Sequence, residues 1–186
     1  RCSPTDALLS NSTDVNAEVV IQCILLENAD SNLASNETHS EDFDRWDPAK
    51  HNLNQTQQRI YVDIGNWYKN RNRTGIALFV HGPPGTGKTF LANAVATTVP
   101  CAAGAPTGVA ASLFLRGLTL HGLFLLPVKL KVKICKLPTI ALAKLQKRFE
   151  GIVILLLDEL SFVNPIPLQQ IDFRLRKIKQ KPDELF

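Results

Sequence analysis

The chain has 186 residues, about one domain at the usual ~100–200 residues each. Apolar residues make up 45% and charged residues 20%, which excludes collagen-like, mucin-like and wholly disordered classes. The formal net charge of +4 is unevenly spread: residues 1–50 carry 3 basic and 10 acidic side chains, whereas residues 51–186 carry 18 basic and 7 acidic. The body suits a polyanion and the head does not.

No stretch approaches the ~18 consecutive apolar residues of a membrane span. The longest apolar run near the N-terminus, Val19 to Leu26, is broken by Gln22. Cys2, Cys23, Cys101 and Cys135 are scattered without a Cys-x-x-Cys spacing, so they read as free thiols of a reducing compartment. No basic stretch followed by an apolar one marks a signal peptide. The chain starts with Arg1 and contains no Met, as expected of a piece of a longer polypeptide.

Residues 1–50 are acidic and poorly periodic and are expected to form a poorly ordered arm. Within them, Val19–Leu26 fits a strand or a short helix equally. Order is expected from about Leu53, in a domain spanning 51–186. Asn54 and Gln57 stand in capping-box spacing, and Ile60, Ile64, Trp67 and Tyr68 follow on one helical face. Ile76–Val80 is a continuous apolar run, the pattern of a strand buried on both faces. A glycine-rich loop and a helical stretch from Thr89 to Val99 come next, ended by Pro100. Ile152–Leu157 is a second buried strand. A last helix aligns Leu168, Ile171, Leu175 and Ile178, with Arg174, Lys177 and Lys179 off that stripe. Strands alternating with helices imply an α/β fold with a parallel sheet.

The strongest signal is Gly82-Pro83-Pro84-Gly85-Thr86-Gly87-Lys88-Thr89, a full G-x-x-x-x-G-K-[ST] phosphate loop between strand and helix. Its glycines let successive N–H groups turn toward phosphate oxygens, and the helix that follows presents its positive end. Lys88 is expected to reach the β- and γ-phosphates of a nucleoside triphosphate, and the Thr89 hydroxyl to ligate Mg²⁺. Asp158-Glu159 ends the second apolar run, at the sheet edge where ligands bind in such folds. Asp158 is expected to hold the Mg²⁺ hydration shell and Glu159 to orient and deprotonate the attacking water.

Counting the loop itself, five segments stand in a familiar order along the chain. Leu53-Asn54-Gln55-Thr56-Gln57 resembles the Q motif of superfamily-1 DNA helicases of the Pif/RecD type, and Gly82–Thr89 their motif I. Ala105–Ala111 resembles motif Ia, Gly117-Leu118-Thr119-Leu120-His121 the G-x-T-x-H segment, and Asp158–Val163 motif II. The resemblance runs from about Leu53 to the end. It implies a P-loop NTPase of the RecA-like kind, an incomplete first helicase domain with helices on both sheet faces. It implies ATP-driven 5′-to-3′ unwinding of DNA, of the repair, recombination or telomere-maintenance type, in the nucleus or alternatively the mitochondrion. It assigns Gln57 to the adenine, which leaves the capping-box reading of that residue intact. It places Thr107, Gly108 and His121 along single-stranded DNA; a buried, hydrogen-bonded histidine is the other reading of His121. Independently, Arg116, Lys129, Lys131, Lys133, Lys136, Lys144, Lys147 and Arg148 form an acid-free basic stretch able to neutralise phosphates, or a solvated lysine face. Phe114 and Phe124 read as core residues rather than base-stacking ones.

Two features depart from the family pattern. Fifteen residues, Phe90 to Gly104, must supply a helix and a returning strand, and Cys101-Ala102-Ala103-Gly104 is a poor strand sequence. The strand there is therefore the weakest of the predicted elements. The family's motif III and second RecA-like domain would lie beyond Phe186, so this segment is expected to bind nucleotide without unwinding DNA. The alternatives are a P-loop ATPase that is not a helicase, or an inactive transposon-derived nucleotide-binding remnant.

Overall fold

The structure, a computed structural model, describes residues 21–25, 46–70, 75–127 and 137–180. Strand β1 is Ile21–Leu25. A 3₁₀ turn, Pro48–His51, leads into helix α1, Gln55–Lys69. Strand β2, Ile76–Val80, carries the glycine loop and helix α2, Lys88–Thr98. Strand β3, Cys101–Ala105, is followed by the short helix α3, Gly108–Ser112. The two-residue strand β4, Leu118–Thr119, runs into helix α4, Leu120–Phe124. Helix α5, Thr139–Phe149, strand β5, Ile154–Leu157, a 3₁₀ turn and helix α6, Pro165–Lys179, complete the order.

The five strands form one sheet in the order β2-β1-β5-β3-β4. Strands β5, β3 and β4 are parallel neighbours, with Gly104 opposite both Leu157 and Leu118. Strand β1 is antiparallel to both β2 and β5, pairing Ile21 with Val80 and Gln22 with Leu157. Strand β2 therefore points the same way as the parallel three. Within the run that was ambiguous by pattern, Ile21–Leu25 is a strand, and it sits inside the sheet. Trp46 is also buried and packs its ring against Tyr61, centroids 4.9 Å apart. Strand β1 and Trp46 lie ahead of residue 50, so packing begins earlier than the predicted boundary.

Helices cover both faces, and the alternation of β5 shows why. Ile154 and Leu156 join the core formed with α1 and α2, including Tyr61, Ile64, Leu91 and Val95. Leu155 and Leu157 join the opposite core, with Leu120, Phe124, Leu145, Phe149 and Ile171. All four β5 side chains are fully buried, as a strand with two covered faces requires. The expected α/β, P-loop, RecA-like architecture is present in this form.

Strand β3 corrects the expectation for Cys101–Gly104. The sequence is poor in β-formers because helices lie close on both sides, which leaves room only for small residues. A Cβ on Gly104 would sit 2.9 Å from Leu123 Cδ2 and 3.0 Å from Leu120 Cδ2, both on α4. Packing overrides propensity here. The short connection closes because α2 ends at Thr98 and β3 starts at Cys101.

Candidate active site

Because β2, β3, β4 and β5 share one direction, their C-terminal ends meet at one sheet edge. There β2 delivers the glycine loop, β3 Thr107, β4 His121 and β5 Asp158-Glu159. Val80 and Leu157 both flank the start of β1, two strand spacings apart, or about 10 Å. The loop and the acidic pair are thus brought together, and the charge of Lys88 acts on Asp158.

The loop's geometry follows from its glycines. Gly85 and Gly87 have φ of 81° and 80°, left-handed values that a side chain rarely tolerates. Gly87 is the N-cap of α2, and no side chain caps that end. Lys88 folds back along the loop, its Nζ donating to the carbonyls of Gly82 at 2.6 Å and Pro83 at 2.9 Å. The Thr86 hydroxyl donates to Pro83 O at 2.9 Å, closing the turn. Thr89 follows on the first turn of α2, half-buried.

Gln57 forms the expected capping box: its Oε1 accepts the Asn54 N–H and its own N–H donates to Asn54 Oδ1, both at 2.9 Å. The structure adds a contact that spacing alone does not suggest. Gln57 Nε2 donates to the carbonyls of Thr86 and Gly87, each at 3.1 Å. The residue that the resemblance assigns to adenine therefore braces the phosphate loop from behind.

Asp158 is buried, with 3% of its surface exposed. Burial pushes its carboxyl above the ordinary 3.8; the hydrogen bond from Glu159 N–H and the Lys88 charge pull the other way. Asp158 Oδ1 accepts that N–H at 2.8 Å, and its second oxygen has no hydrogen bond among the described residues. Glu159 has φ 53° and ψ 34°, a left-handed conformation uncommon outside glycine. Such outliers concentrate at functional sites. A hydroxyl on Thr89 and a carboxylate oxygen on Asp158 are hard donors of the kind Mg²⁺ takes, so the donor set fits that ion.

The residues assigned to DNA are placed as follows. Thr107 and Gly108 are exposed at the start of α3, where Thr107 Oγ1 accepts the Ala110 N–H at 3.1 Å. His121 is half-exposed and makes no side-chain hydrogen bond among the described residues. Thr119 of the same segment caps α4 by accepting the Gly122 N–H at 3.1 Å. Phe114 and Phe124 are buried, as expected of core residues. Of the basic stretch, Lys129, Lys131, Lys133 and Lys136 lie outside the described residues, while Arg116, Lys144 and Lys147 are exposed.

Two arginines have partners that the pattern did not show, although Arg148 is exposed as its stretch predicts. Arg148 donates to the carbonyls of Gly122 and Leu123, so its guanidinium is engaged at the end of α4. Arg174, off the apolar stripe of α6, is buried and donates to the carbonyls of Phe124 and Leu125. The end of a helix leaves carbonyls without partners, and these two cations supply them.

A phosphate loop and an acidic strand end, joined at one edge of a two-faced α/β sheet, define a P-loop nucleotide-binding module. The model of the PIF1-like helicase family matches residues 52–186, and the chain belongs to that family. No curated protein and no solved structure matches it.

Proposed function

We propose that the chain is the nucleotide-binding motor portion of an ATP-dependent DNA helicase that unwinds DNA 5′ to 3′. The observation that carries this reading is the convergence of Lys88 and Asp158 at one sheet edge, with the Lys88 charge acting on the Asp158 carboxyl. ATP would lie along Gly82–Thr89, its phosphates taking donors from the loop's N–H groups. Lys88 Nζ would exchange the Gly82 and Pro83 carbonyls for phosphate oxygens. Thr89 and Asp158 would hold Mg²⁺, which supplies charge neutralisation on the phosphates. Glu159 would orient the attacking water and accept its proton. Gln57 would keep the loop's shape while contacting the base side. Thr107, Gly108 and His121 would follow single-stranded DNA, with the exposed Arg116, Lys144 and Lys147 adding phosphate attraction. Family membership supports a helicase; repair, recombination and telomere maintenance, and a nuclear or mitochondrial setting, belong to the same proposal.

Calorimetric titration of the chain with Mg·ATP is expected to show saturable binding that Lys88→Ala abolishes. Any turnover should rise when single-stranded DNA is added. Absence of binding heat overturns the nucleotide site, and turnover indifferent to DNA points instead to a P-loop ATPase of another kind.

A further inference from the structure

Asn93 lies on α2, little more than one turn beyond Lys88. Its amide grips the segment after α3 at two points. Nδ2 donates to the Leu113 carbonyl and Oδ1 accepts the Leu115 N–H, both at 2.8 Å. Those groups flank Phe114, whose ring is buried in the same core as Leu91, Ala92 and Val95 of α2. Backbone and side chain of this segment are therefore both fixed to the phosphate-loop helix. Leu113 and Leu115 point their own side chains to solvent, at 59% and 49% exposure. Water could satisfy each of these polar groups at such a surface. What the paired bonds add is a defined register between two elements.

The register matters because of what each element holds. Helix α2 begins at Lys88, so anything that moves the loop moves Asn93 as part of a rigid rod. The gripped segment joins α3, which starts just after Thr107, to β4 and α4, which carry Thr119 and His121. We propose that Asn93 is a positioning residue that couples the nucleotide state of the phosphate-loop helix to the single-stranded DNA track through its paired hydrogen bonds to Leu113 and Leu115. This rests on the function proposed above. Coupling of this kind is reciprocal: nucleotide must change DNA affinity by the factor by which DNA changes nucleotide affinity.

The experiment measures binding of a labelled oligo-dT to the 186-residue chain by fluorescence anisotropy, with and without a non-hydrolysable Mg·ATP analogue. The analogue is expected to shift DNA affinity by about fivefold or more. In Asn93→Leu, which keeps the shape and loses both bonds, that shift should fall toward unity while affinity for the analogue alone is retained. Asn93→Asp, which keeps the acceptor and loses the donor, should fall between. A full shift in Asn93→Leu overturns the proposal and leaves the functional reading standing. If the unaltered chain binds neither DNA nor analogue, the functional reading fails and takes this proposal with it. Amide exchange in the unaltered chain provides a readout that needs no variant. Protection of the Leu115 N–H should change when the analogue binds, and an unchanged rate overturns the coupling.

Discussion

Gln57 and Gly87 are locked to each other: the Gln57 Nε2 donates to the Gly87 carbonyl at 3.1 Å, and a Cβ on Gly87 would lie 2.5 Å from that nitrogen. One side chain thus caps α1 with its oxygen and shapes the phosphate loop with its nitrogen. Gln57→Glu separates the two roles. The carboxylate can still accept the Asn54 N–H, but it opposes two carbonyls where the amide donated. Mg·ATP affinity is expected to drop about tenfold, the equivalent of about 1.4 kcal/mol, with the helicity of α1 retained. Gln57→Ala loses both roles and should also cost about 1 kcal/mol of stability from the cap. Calorimetry and urea unfolding check the two effects. Unchanged nucleotide affinity in Gln57→Glu removes the brace from the account.

Asp158 carries a cost that the fold tolerates. Its pKa is raised in the folded chain, so the folded state holds the proton more tightly than the unfolded one. The favourable contribution is present below the ordinary 3.8 and is lost as pH climbs through the raised value. At neutral pH the buried charge is a net burden. Asp158→Asn keeps an acceptor for the Glu159 N–H and removes the charge. The melting temperature at pH 7 should rise by about 2–4 °C, the equivalent of about 1 kcal/mol at this chain length, with turnover lost. The gain should vanish at pH 3. A variant that melts lower than the parent at pH 7 contradicts this account.

Gly104 has no room for a larger residue. Gly104→Val would press its branches into Leu120 and Leu123, a cost of about 1–3 kcal/mol from overpacking. Chemical denaturation should show a lower midpoint at constant slope. Val is a better strand former than Gly, so a stabilised variant would mean that propensity rather than packing governs β3.

Arg174 and Arg148 bond the end of one helix from unlike environments. Arg174→Met leaves the Phe124 and Leu125 carbonyls without that donor in a buried setting, and about 3 kcal/mol should be lost. Arg148→Ala exposes its carbonyls to water and should cost under about 1 kcal/mol. Equal losses in parallel urea titrations would mean that burial does not distinguish them.

Legibility differed from element to element for physical reasons. The phosphate loop, β2 and the acidic end of β5 were readable because an apolar run marks a strand and phosphate binding needs glycine at fixed offsets. Of these two strands only β5 is buried on both faces, however, since β2 ends the strand order and leaves Phe79 57% exposed. Strand β3 was hard to read because close helices demand Ala and Gly, which carry no β signal. The Leu168, Ile171, Leu175 and Ile178 stripe was readable: the last three are buried and Leu168 is half-buried. Arg174 was not: a residue off the stripe is buried only because α4 ends above it, and helical periodicity holds no trace of a neighbour. The second role of Gln57 and the grip of Asn93 depend on contacts between elements distant in the chain. The positive φ of Glu159 leaves no mark in composition at all.

Strand β1 has a practical consequence for anyone trimming this protein. The family match starts at residue 52 and so omits Ile21–Leu25, yet that segment is the hydrogen-bonded bridge between β2 and β5. A fragment cut at the match would suspend the Lys88 loop from helices alone, with an open gap in the middle of the sheet. Expression boundaries are better drawn ahead of Ile21, and a shortened version that fails to hold nucleotide would say more about the missing bridge than about the loop.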